Sequence, residues 1–210
     1  MIKKIINTLF SQFFSAMMNF VVIILISHLL GTQGKGEQAI IAFNINIIML
    51  FLTLLGNSTL IYLTPRKTFS SLFFPSFAWI LIVSLVFVVL SFFLKKKKKD
   101  YIFQTIFISL LASINEINYY VLMGREKIVK ANNIKIICVA VNVGVILLLW
   151  FFGKFTSIEG YLVSMWVAYI ISVAYGIIIL KKDYLSLHIN KEEIKDSIKS
   201  LFSLGVVKQL

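Results

Sequence analysis

Glu116 is the only ionisable residue that the sequence places well inside a long apolar run, with Asn115 and Asn118 beside it. A charge at that depth in a bilayer costs at least about 2.5 kcal/mol unless it is hydrated or paired. Its carboxylate therefore has two readings: a carrier for a proton, Na⁺ or an organic cation, or a member of an interhelical hydrogen-bonded set. Around it, polar side chains recur at spacings of three, four, seven and eight, which place them on one face of a helix. These stripes are Gln12, Ser15 and Asn19; Asn46, Thr53 and Asn57; Ser109, Ser113, Glu116 and Tyr120; Cys138 and Asn142; and Tyr161, Ser164, Ser172 and Tyr175. Each stripe either lines a wet cavity or supplies hydrogen bonds between helices worth about 1 kcal/mol apiece. The candidate cavity residues are Gln12, Asn19, Asn46, Asn57, Glu116, Tyr120 and Asn142.

Enzyme chemistry has no visible carrier. His28 and His188 have no matching ligands or bases, and the chain contains no HExxH, GxSxG, phosphate-binding glycine loop or paired carboxylates. His28 reads as an interfacial side chain. Cys138, the single cysteine, permits neither an intramolecular disulfide nor a cysteine metal cluster. The sequence implies no enzyme, cofactor or metal.

The elements that must position these residues are membrane spans. At 210 residues, 59% apolar and 14% charged, with a mean hydropathy of +0.92, the chain has too little polar surface for a water-soluble globule. Its net charge of +12 lies mostly in short segments between uncharged runs, a pattern of membrane topology and not of a nucleic-acid groove. A hydrocarbon core about 30 Å thick needs roughly 20 helical residues. The charges then mark out spans near Thr8 to Leu30, Gln38 to Leu63, Leu72 to Leu94, Tyr101 to Met123, Ile134 to Phe152 and Gly160 to Leu180. The fold class is all-α, a polytopic transmembrane bundle of six spans plus the start of a seventh. The uncharged stretch after Lys3 and Lys4 outruns a secretory h-region and lacks a cleavage site, so it reads as an uncleaved first span.

Between the first two spans lies Leu29-Leu30-Gly31-Thr32-Gln33-Gly34-Lys35-Gly36-Glu37. Gly31, Gly34 and Gly36 suit a tight helical hairpin, because glycine accepts positive φ and close backbone approach. Pro65 and Pro75 are assigned to the connection between spans 2 and 3, where a missing N–H costs little. Basic residues prefer the cytoplasmic side, and an inside N-terminus puts thirteen of them in inner segments against seven in outer ones. The run Lys95 to Lys99 counts against that orientation. It serves either as a solvated cap on span 3 or as an anion-attracting patch at the outer mouth.

Residues 1–180 form the six-span bundle on this reading, and residues 181–200 an amphipathic cytoplasmic connector. Asn190-Lys191-Glu192-Glu193 has capping-box form, so a helix beginning near residue 191 is expected on the inner surface. Residues 201–210 read as the opening of a truncated seventh helix, and hence the chain as a fragment or a prematurely ended frame.

Leu30-Gly31-x-x-Gly34-x-Gly36-Glu37 after a polar-striped first helix resembles the first connection of bacterial polysaccharide-export flippases of the multidrug/oligosaccharidyl-lipid/polysaccharide exporter superfamily. Gly124-Arg125-Glu126-Lys127-Ile128 followed by Asn132-Asn133 resembles their basic connection between helices 4 and 5, and the amphipathic stretch resembles their link between halves. The resemblance covers the whole chain but about half of such a transporter. It implies an inner-membrane protein that flips an undecaprenyl-pyrophosphate-linked oligosaccharide for O-antigen or capsule-type polysaccharide, by alternating access. Its partners would be that lipid-linked glycan, membrane lipid and other polysaccharide-assembly membrane proteins, and no nucleic acid. A cationic cavity is expected of that family, whereas the middle of these spans carries no Lys or Arg and one acid. Competing readings are a cation-coupled multidrug antiporter of the same superfamily, a membrane-embedded glycan polymerase or acyltransferase, and a non-transporting remnant. The polymerase or acyltransferase reading would require a sizeable external loop with catalytic Arg, His or Asp, and the outer loops here are short.

Overall fold

The computed structural model describes residues 2–53, 57–93, 101–155 and 157–207. Among them every regular element is helical: α1 (Ile2–Thr53), α2 (Asn57–Leu63), α3 (Phe69–Phe93), α4 (Ile102–Gly124), α5 (Ile128–Phe151), α6 (Ile158–Ile179), α7 (Lys181–Leu185) and α8 (Lys191–Val207). The lysine run 95–99 and the side chains of Thr53 and Asn57 lie outside the described residues.

The first element is two helices joined at Gly31, whose φ of 68° and ψ of −163° belong to a region that essentially only glycine occupies. Helical bonding resumes at once on either side, so the expected several-residue loop is a single non-helical residue. The arms fold back on each other, since Asn19, Val22 and Ile23 of the first share a cavity with Asn46, Ala42 and Gln38 of the second. A Cβ on Gly34 would stand 2.2 Å from the Leu30 Cβ, so the turn also needs glycine there for space. At Gly36 an added Cβ meets nothing within 4 Å, and no steric reason for glycine exists.

Among the described residues five helices are long and apolar enough to cross a membrane: the bent α1, over Lys4–Phe51, and α3, α4, α5 and α6. Their outward faces carry large apolar side chains, including Phe43 at 62% exposure, Leu85 at 64% and Ile178 at 70%. That much exposed hydrocarbon has a physical solvent only in lipid. Inside, two clusters hold the bundle. One joins Leu60, Leu63, Leu72, Leu122, Ile134, Leu180 and Leu201, and the other Val22, Ile26, Ile41, Ile108, Ile146 and Phe155. α4 and α6 approach closely at Gly176, where a Cβ would come within 2.7 Å of the Asn118 amide nitrogen.

Three boundaries differ from the sequence expectation. Pro75 sits inside α3, not in the preceding connection; it is near the helix start, so it removes one intrahelical bond and the helix survives. α5 begins at Ile128, which puts Lys130, Asn132, Asn133 and Lys135 on the helix. α8 runs unbroken from Lys191 to Val207, so the amphipathic connector and the start of the expected seventh helix are one element.

Two helix ends close the same way. After α4, the Glu126 N–H bonds the Met123 carbonyl and the Lys127 N–H the Leu122 carbonyl, with Glu126 at φ 58°. After α5, Gly153 and Lys154 repeat the pattern on Trp150 and Leu149, with Gly153 at φ 65°. Both are Schellman caps, which satisfy carbonyls that a helix end leaves open.

Candidate functional site

The polar stripes converge in part. A cavity of about 300 Å³ opens between both arms of α1, α5 and α6, and its polar lining is Asn19, Gln38, Asn46, Cys138, Asn142, Tyr161 and Tyr169. No Lys, Arg, Asp or Glu lines it. The lining is ordered by hydrogen bonds. The Ser164 hydroxyl donates to Asn142 Oδ1 at 2.7 Å, and Gln38 hydrogen-bonds Tyr161. Carboxamides both donate and accept, and a phenol ring adds an apolar face with a polar tip. Such a wall matches an uncharged, hydroxyl-bearing ligand.

Of the expected cavity residues, the structure brings together Asn19, Asn46 and Asn142. Gln12 is exposed and outside the lining, and Asn57 lies outside the described side chains. Gln38 and Tyr169 complete the wall, and neither belonged to an expected stripe. The signal was present, since Gln38 and Asn46 are eight residues apart, as are Tyr161 and Tyr169, and eight residues return a helix to the same face.

Glu116 is half-buried on α4 and hydrogen-bonded with Tyr120. It does not line the cavity, whose walls are the two arms of α1, α5 and α6. Its stripe partners are engaged elsewhere: Ser109 and Ser113 donate to carbonyls one turn back, those of Thr105 and Ser109. Ser172 donates to Asn115 Oδ1 at 2.8 Å and the Ile134 carbonyl at 2.9 Å, tying α6 to α4 and α5. The Ser172 bonds are interhelical, the other of the two readings, whereas those of Ser109 and Ser113 stay within α4.

At one end of the bundle, ion pairs join segments distant in sequence. Arg125 grips Asp183 with two bonds of 2.6 and 2.7 Å, Lys4 meets Glu126 at 3.3 Å, and Lys67 pairs with Asp196. The Asp196 carboxyl is held below its usual range by the Lys67 hydrogen bond and then by the Lys67 charge. Tyr184 donates to Asn118 Oδ1 at 2.7 Å, and burial pushes its hydroxyl up to about 12. The expected capping box is half formed: Asn190 Oδ1 accepts from the Glu192 N–H, while Glu193 takes the Asn190 side-chain amide and not its backbone. His188 contributes its backbone N–H to Ser70, and His28 is exposed near the Gly31 turn.

No protein-family model matches the chain, and neither does any curated protein or solved structure.

Proposed function

We propose that the chain is the six-span N-terminal bundle of an inner-membrane flippase that moves an undecaprenyl-pyrophosphate-linked oligosaccharide by alternating access, for O-antigen or capsule-type polysaccharide. The observation that carries this reading is the cavity walled by carboxamides and phenols without a formal charge, inside a bundle of span-length helices. Amide and hydroxyl groups suit the ring hydroxyls of a sugar, whereas an ionised ligand in low dielectric needs an opposite charge in contact. The pyrophosphate then contacts other groups than this wall. The two arms of α1 count as separate spans, because the Lys4–Phe51 run of 48 residues, taken straight, exceeds twice a bilayer core of about 30 Å. The N-terminus is cytoplasmic, on the balance of basic residues.

Deletion of the gene tests the proposal. Lipid-linked oligosaccharide should accumulate in the cytoplasmic leaflet while its assembly continues, and surface polysaccharide should fall. Unchanged surface polysaccharide overturns it.

One observation favours a second reading, a cation-coupled multidrug antiporter: Glu116 is an acid within a helix of span length, hydrogen-bonded with Tyr120. Raised drug sensitivity in the deletion strain, with normal polysaccharide, selects that reading.

A further inference from the structure

The charges after the last span are mostly sorted by side. α8 rests on α2 and α3 through Ser197 and Leu201, both fully buried, and the half-buried Ile194. Two of its three acids turn toward the bundle, with Asp196 paired to Lys67 and Glu193 accepting from Thr68 at 2.9 Å, while Glu192 is exposed beside the lysines. Lys191, Lys195 and Lys199, four residues apart, form one exposed flank, and at 100° per residue Ile198, itself 40% exposed, borders that flank. α7 repeats the division: Asp183 is gripped by Arg125, while Lys181 and Lys182 are exposed. Leu185 at 76% exposure and Ile189 at 69% follow them.

Geometry fixes the depth of this segment. α6 is of span length and ends at Ile179, so α7 leaves the bundle where a span meets the bilayer surface. Cations next to exposed aliphatic side chains at that level match a layer of anionic headgroups over acyl chains, since lysine stems lie along hydrocarbon while their ammonium groups reach phosphate. A soluble polyanion would satisfy the lysines and leave Leu185 and Ile189 in water.

We propose that the lysine flank of α7 and α8 binds anionic phospholipid headgroups and holds the segment in the headgroup layer. The inference rests on α6 crossing the membrane and not on what is transported, so it stands or falls separately from the flippase reading.

The full chain in detergent, mixed with phosphatidylglycerol or phosphatidylcholine and examined by native mass spectrometry, tests it. The wild type should retain phosphatidylglycerol preferentially. Combined Lys191→Gln, Lys195→Gln and Lys199→Gln should reduce that preference roughly tenfold or more, because each lysine near an anionic surface contributes about fivefold. The corresponding three arginine substitutions should keep it. Lys181→Gln with Lys182→Gln, on a separate element, should act in the same direction and supplies the test if the triple variant fails to fold. Equal retention of the two lipids by the wild type overturns the proposal. So does a preference unchanged in both glutamine variants, or one lost equally with arginine.

Discussion

A carboxamide that lines the cavity and a carboxylate that does not line it do different work, and substitution separates them. Asn46 lines the cavity, so Asn46→Leu should lower transport of the lipid-linked glycan about tenfold, the scale of one lost hydrogen bond to a bound polar ligand. Protein in the membrane should stay near wild-type level. Normal transport by that variant would remove Asn46 from the substrate path. Glu116→Gln keeps shape and hydrogen bonding and removes the charge. Transport should be abolished with the protein still present if the carboxylate carries the coupling proton or ion; tolerance of Gln, with Glu116→Leu losing protein, makes Glu116 structural instead. Part of this scale was legible in the sequence, because burial favours turning a polar side chain of an apolar helix inward, as at Asn115 and Ser172, though Gln12 is exposed. Which partner such a side chain finds was not. Ser109 and Ser113 have carbonyls of their own helix within reach, Ser172 has Asn115, and periodicity treats all three alike.

At the scale of elements, the glycines of the first turn divide by physical role. Gly31→Ala should destabilise the protein by about 1–3 kcal/mol, all of it backbone strain at positive φ, since the added methyl touches nothing. Gly36→Ala, in helical backbone with open space, should stabilise it by up to about 1 kcal/mol. Thermal unfolding of the two variants in detergent checks the opposite signs. The docking of α8 carries a pH dependence through Asp196. Its folded-state value is lowered by Lys67, so the contribution is present at neutral pH, above the unfolded value, and is lost as pH falls through the lowered one. Hydrogen exchange over residues 191–201, corrected for intrinsic rates, should show protection that drops only in acid, and Asp196→Asn should remove that dependence. Helix existence was readable from hydropathy, and helix ends were not. Charges at 125–135 looked like a loop because ions avoid hydrocarbon, yet a helix such as α5 can run on into headgroup water with its lysines attached.

For the whole molecule, the fold fixes which connections share an end before any membrane side is assigned. Lys4 touches Glu126, Lys67 touches Asp196, Arg125 touches Asp183, and Asn132 donates to Asn7, so the N-terminus, the α2–α3 and α4–α5 connections and the segment after α6 lie together. Leu30, Tyr101 and Phe155 all belong to the second apolar cluster, and the turns at Gly31 and Gly153 lie one helix length away from these ion pairs. Alternation of this kind was already implied by the spacing of charges, whereas the lysine run 95–99 left the sidedness contested. Single cysteines in a Cys138→Ser background distinguish the two questions. With the N-terminus cytoplasmic, Lys35→Cys and Lys154→Cys in intact cells should react with an impermeant thiol reagent, and Arg66→Cys and Lys127→Cys only after the cells are opened. Reversal of all four keeps the fold and inverts its orientation, which would make the five-lysine run the dominant topological signal. Disagreement within either pair contradicts the bundle itself, because no orientation of this fold puts Lys35 and Lys154 on opposite sides.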